Sequence, residues 1–157
     1  MIHHIMFTNR YAFFDCDNTI YNGYTGNELF DYFASKTGDY SNINNRLALV
    51  KKYQNGTGTY HAVANYVLNQ FSKLVKGMTV SDVLEIFGQI NQAKETIFFP
   101  WVRPVIKFLK QKQFKILLVS AGVDVVNAKF VKELELDGHI STIIPQKNGR
   151  FTGGLEL

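Results

Sequence analysis

Apolar residues recur along this chain at two different spacings. Tyr-Ala-Phe-Phe at 11–14 is a short unbroken apolar run ending in Asp15, the pattern of a buried strand. Asn18, Asn22 and Gly23 follow and predict a turn or loop. From residue 26 to 95 the period becomes that of a helix. Leu29, Phe30 and Phe33 form one short apolar face, and Ile43, Leu47 and Val50 form a second. The Gln-Asn-Gly-Thr-Gly stretch from Gln54 breaks the pattern. Tyr60, Val63, Val67, Phe71 and Leu74 then predict a third helix, with Gly77 as its stop. Thr79 and Asp82 resemble a capping box with Asp in place of Glu, and Val83, Phe87 and Ile90 face one way on a fourth helix.

Pro100 and Pro104 mark a boundary. Pro104 suits the first turn of a helix running to about Lys112, with Val105, Phe108 and Leu109 expected to pack on a sheet. Phe114 to Val119 predicts a second buried strand ending at Ser120, and Ala121-Gly122 is expected to open another helix. Val123, Val126, Phe130 and Leu134 would lie on one side of that helix. His139 to Pro145 predicts a third strand, Asn148-Gly149 a hairpin turn, and Phe151 onward its return strand. Apolar strands interleaved with helices predict a parallel sheet. A crossover between neighbouring parallel strands needs only one helix, so the surplus helices predict an insertion after the first strand. The expected class is α/β. The expected divisions are a core of 11–21 and 97–157, a helical cap of 22–96, and an N-terminal extension of 1–10 carrying His3 and His4.

Composition narrows the class without naming a chemistry. The chain has 157 residues, which suits one domain, and is 46% hydrophobic and 19% charged, which excludes disordered and collagen-like classes. No apolar run approaches the roughly 20 residues that cross a bilayer, and Met1 to Met6 lack the basic and apolar regions of a signal peptide. A cytoplasmic protein without a membrane partner is expected. The single cysteine, Cys16, excludes an internal disulfide framework and a cysteine-built zinc site, and reads as buried filler. The net charge is +4, and its one cluster, Arg103, Lys107, Lys110, Lys112 and Lys115, reads as a solvated helix face. Without a dense basic stripe and aromatic platforms, no nucleic-acid partner is expected. Trp101, beside Pro100, reads as core or interdomain packing, and Tyr21, Tyr24 and Tyr60 as core residues or as lining of a pocket in the cap.

The informative chemistry lies in Asp15-Cys16-Asp17-Asn18-Thr19-Ile20. Ligands of open α/β sheets bind just beyond the C-terminal ends of strands, and both carboxylates fall there. Such a pair can divide its work. One carboxylate can hold a hard cation and attack phosphorus, while the other protonates a leaving group and later activates water.

Phe13 to Ile20 resembles motif I of the haloacid dehalogenase superfamily, a hydrophobic strand followed by Asp-x-Asp-x-Thr. Ile116 to Gly122 looks like its motif II, a hydrophobic strand ending in Ser or Thr. Asn148 to Gly153 is similar to the hairpin after motif II in the phosphoserine-phosphatase-like branch, whose helical cap matches the long helical insert. The resemblance implies a Rossmannoid parallel sheet with an inserted α-helical cap. It also implies a Mg²⁺-dependent phosphomonoester hydrolase working through an aspartyl-phosphate on a small phosphorylated metabolite. Under it, Asp15 would be the nucleophile and a metal ligand. Asp17 would be the general acid/base, with its backbone carbonyl on the metal. Ser120 and the backbone N–H of Ala121 or Gly122, at a helix N-terminus, would bind the phosphoryl group. Thr19 would orient the motif I loop.

Two family features have no counterpart among the 157 residues: the motif III lysine and the motif IV Gly-Asp-x-x-x-Asp. A truncated core is therefore expected, with little or no phosphatase activity and with the first strand at a sheet edge. Such an edge is expected to pair with a missing C-terminal segment or with another copy. The alternative is a non-catalytic phosphate-binding remnant or regulatory protein. A phosphoserine substrate is not expected. The first acid after Thr19 is Glu28, later than that site needs, and the third helix contains no arginine, although the cap carries Arg46.

Overall fold

The computed structural model describes residues 10–155, so the expected N-terminal extension lies outside the described residues except for Arg10. Arg10 opens the first strand, β1 (Arg10–Phe14). Four helices follow: α1 (Thr25–Thr37), α2 (Ser41–Gln54), α3 (Tyr60–Leu74) and α4 (Val80–Gln92). Then come α5 (Val102–Gln111), β2 (Phe114–Val123), α6 (Asp124–Leu134) and β3 (Gly138–Thr142). A hairpin, β4 (Gln146–Lys147) and β5 (Arg150–Phe151), turns at Asn148 and Gly149, both at positive φ. That is the backbone a tight Asn-Gly hairpin turn requires.

β1, β2 and β3 form a parallel sheet in that order, with β1 at one edge. The register Phe14↔Leu118 brings the C-terminal ends of β1 and β2 side by side. Ile116 and Leu118 of β2 are buried with Val126, Phe130 and Leu134 of α6. The opposite face is open: Phe13 is 61% exposed and Ile140 63%, and Tyr11 stacks on Phe13 there. β1 is thus an apolar strand but not the buried one its composition predicts. Alternation along a strand buries a side chain only where something lies over that face.

The chain leaves the sheet for the four helices and returns through adjoining segments. Asn22 N–H donates to the Ile97 carbonyl (2.9 Å), and Phe99 N–H donates to that of Ile20 (3.1 Å). The Thr79–Asp82 capping box at α4 is present in both directions. α5 differs from expectation. Val102 and Ile106 are its buried positions, Phe108 is exposed beneath Lys112, and Trp101 is exposed against the Phe14 ring. The basic cluster is solvated, and three of its members pair with acids at and beyond the end of α6: Arg103–Glu133, Lys110–Glu135 and Lys115–Asp137. The hairpin packs on the corner between α3 and α4, where Gly77 N–H donates to the Phe151 carbonyl (2.8 Å) and Phe151 N–H to that of Met78 (2.9 Å).

Candidate functional site

Asp15 follows β1 directly and is exposed, with Oδ1 accepting from Cys16 N–H at 2.7 Å. Beyond it the chain curls tightly. The N–H groups of Thr19, Ile20 and Tyr21 all converge on the Cys16 carbonyl (3.0–3.1 Å), which places Thr19 inside the loop. Cys16 is fully buried, and burial pushes its thiol far above the usual range, so it is filler and not a nucleophile.

Asp17 is half-buried and carries the strongest electrostatic signature among the carboxylates. Burial pushes its pKa up to about 6; hydrogen bonds from Thr25 pull it down, and the nearby charges of Asp15 and Glu28 add to the rise. Thr25 is a site residue that the sequence motifs do not single out. Its N–H and Oγ1 each lie 3.2 Å from the Asp17 carboxylate, and Thr25 itself is buried. The N-cap residue of α1, Tyr24, makes no side-chain cap bond, so Asp17 satisfies the helix start from a distance. Asp17 thus caps the start of α1 while standing beyond the end of β1.

Ser120, Ala121 and Gly122 differ from expectation. They do not open a helix: β2 runs on to Val123, which pairs with Thr142 of β3 after a register shift, and α6 starts at Asp124. Renewed pairing with β3 at Val123 delays the helix expected to open at Ala121-Gly122. The backbone N–H groups of Ala121 and Gly122 therefore lie on an irregular strand end. Gly122 N–H donates to Ser120 Oγ at 3.1 Å, which leaves the Ser120 hydroxyl hydrogen free for another acceptor.

A cavity of about 400 Å³ joins these strand ends to the helices. Asp17, Ala121, Gly122 and Val123 line one end, and residues of α1, α2 and α3 line the rest. Tyr24, Tyr60 and Arg46 line it, whereas Tyr21 is buried in the core. Asp15 and Ser120 lie outside the lining. Beside the loop, Glu28 is held by Lys94 (2.6 Å) and by the Tyr21 hydroxyl, and Lys94 also donates to the Asn22 carbonyl (2.8 Å). Among the described residues no three His, Cys, Asp or Glu side chains cluster as a metal site. The Asp15 carboxylate and the Asp17 main-chain carbonyl are hard oxygen donors. They suit a Mg²⁺ that keeps several of its waters. Among the described residues no helix is long and apolar enough to cross a membrane.

A family model of haloacid dehalogenase-like hydrolases matches residues 12–157. No curated protein sequence matches the chain. Solved structures share the fold. A phospho-aspartyl intermediate analogue of phosphoserine phosphatase is 21% identical with a TM-score of 0.62, over 94% of this chain and 63% of that one. A protein of unknown function from Bordetella pertussis Tohama I is 20% identical with a TM-score of 0.72, over 95% and 67%. A phosphoserine phosphohydrolase-like protein from Francisella tularensis subsp. tularensis SCHU S4 is 13% identical with a TM-score of 0.66, over 94% and 64%. The chain therefore spans about two thirds of the length of these structures.

Proposed function

The chain belongs to the haloacid dehalogenase-like hydrolase family, and from that premise we propose that its strand-end site transfers the phosphoryl group of a phosphomonoester to Asp15 and then to water. The observation that carries this is the placement of Asp17. In-line displacement at phosphorus puts nucleophile and leaving group on opposite sides. Asp17 lines the cavity, the space a leaving group would fill, and Asp15 is exposed two residues before it, directly beyond β1.

The proposed steps are these. An Asp15 carboxylate oxygen attacks phosphorus, and the P–O bond to the organic group breaks. Asp17 passes its proton to the departing oxygen. A pKa of about 6 keeps a useful protonated fraction near neutrality. The Asp17 carboxylate then takes a proton from a water that attacks the phosphoryl group, freeing Asp15 and inorganic phosphate. The Ser120 hydroxyl donates to a phosphoryl oxygen, and Thr25 holds Asp17 in place. The Asp15 carboxylate and the Asp17 carbonyl would hold Mg²⁺, which would supply charge neutralisation to the phosphoryl group.

The test is intact-mass detection of a phosphorylated chain after incubation with an aryl phosphate and Mg²⁺. The expected adduct is labile to hydroxylamine and absent from Asp15→Asn. Binding of inorganic phosphate without any adduct overturns the catalytic reading and leaves a phosphate-binding module.

A further inference from the structure

Resting on that reading of the site, we propose that the leaving group is an apolar body without an ammonium group, seated in the cavity between α1, α2 and α3. The lining is predominantly apolar: Val50 and Tyr53 come from α2, and Val63, Val67, Leu68 and Phe71 from α3. At about 400 Å³ the cavity falls within the range that holds a small organic ligand. α2 adds a second observation. It has no buried residue, so its apolar stripe finds no seal in the protein core, and Val50 turns toward the cavity instead. An apolar ligand completes that contact.

The charges in and around the cavity oppose an amino-acid phosphate. A substrate ammonium needs a carboxylate. Glu28, the first acid after the motif I loop, lies outside the lining and is already paired with Lys94 and Tyr21. Asp17 is committed to Thr25 and faces the scissile end. The cation that lines the cavity is Arg46, whose Nε is buried without a hydrogen-bond partner among the described residues. It repels an ammonium and can donate to a neutral or anionic oxygen at the far end of the ligand.

The experiment is calorimetric binding of inorganic phosphate, ethyl, butyl and hexyl phosphate, phosphoserine and 1-hexanol to the whole chain with Mg²⁺. Burial of each methylene is worth about fourfold in affinity, so each two-carbon step should tighten binding about fifteenfold until the cavity is filled. Phosphoserine should bind more weakly than butyl phosphate. Ala64→Phe, which fills the cavity, should flatten the ratio of hexyl to ethyl phosphate affinity; Val50→Thr should lower it without adding bulk. A flat alkyl series alongside clear phosphate binding overturns this proposal alone. So does phosphoserine binding more tightly than butyl phosphate; hexanol binding as tightly as hexyl phosphate instead overturns the reading of the phosphate site. Failure of every phosphate to bind overturns the reading of the site itself.

Discussion

Gly23→Ala should be among the most damaging single-atom changes to this protein, and the structure says why. Gly23 sits at φ +150°, a conformation L side chains rarely adopt. A Cβ placed there would stand 2.0 Å from Glu28 Oε1 and 2.7 Å from Lys94 Nζ. Both are ends of flexible side chains, so the clash is relieved by parting the ion pair, not by moving backbone. That pair is well sheltered, with side chains 17% and 19% exposed, and Lys94 also lies over the Tyr21 ring at 3.9 Å. Backbone strain costs about 1–3 kcal/mol. Removing one partner of a fully buried pair costs about 3–5 kcal/mol; shifting a partly exposed pair should cost about 1–2 kcal/mol. The expected total is therefore about 2–5 kcal/mol, read as a lower midpoint in urea denaturation with an unchanged m-value. A cycle with Glu28→Gln isolates the clash, because the neutral amide of that variant has less pairing to lose when it is displaced. The two changes should be non-additive by about 1–2 kcal/mol. Strict additivity, or a loss below about 1 kcal/mol for Gly23→Ala alone, refutes the reasoning.

Asp17→Asn should stabilise the protein near neutral pH. The folded-state pKa of about 6 exceeds the ordinary Asp value, so the folded chain holds this proton more tightly and stability falls as pH rises from about 4 through about 6. In metal-free buffer Asn should gain about 1–3 kcal/mol near pH 8 and nothing near pH 4; equal gains at both, by thermal melts, argue against a buried charge. Phe13→Lys should suppress association through the exposed sheet face and the β1 edge, which has no strand partner among the described residues, measured by sedimentation across a concentration series. A wild-type chain that stays monomeric throughout contradicts it. Hydrolysis of p-nitrophenyl phosphate by the 157-residue chain should be slow, since it carries neither a motif III lysine nor Gly-Asp-x-x-x-Asp. A rate near that of a complete relative, abolished by Asp15→Asn, refutes that expectation.

What could be read from sequence followed physical locality. Period and stop signals placed the helices, because an amphipathic stripe and a cap are properties of neighbouring residues; the Thr79–Asp82 box is the clearest case. The placement of Asp15 and Asp17 beyond β1 was legible because strand and acids are contiguous. Burial of β1 was not, because a short apolar run says nothing about what covers each face. Nor was the continuation of β2 through Ser120 to Val123, which depends on Thr142. Arg46 could be counted but not placed, since only the packing of α2 against α1 and α3 brings it to the cavity. Thr25 had a usable signal. A helix that begins after Tyr24 without a capping side chain leaves N–H donors to be satisfied, and the carboxylate eight residues before Thr25 supplies the acceptor. The same bond that closes the helix start also fixes the acid at the mouth of the cavity. Helix position and proton affinity are therefore coupled at Asp17, because a shift of α1 against the strand ends changes the hydrogen bonds that hold its pKa down.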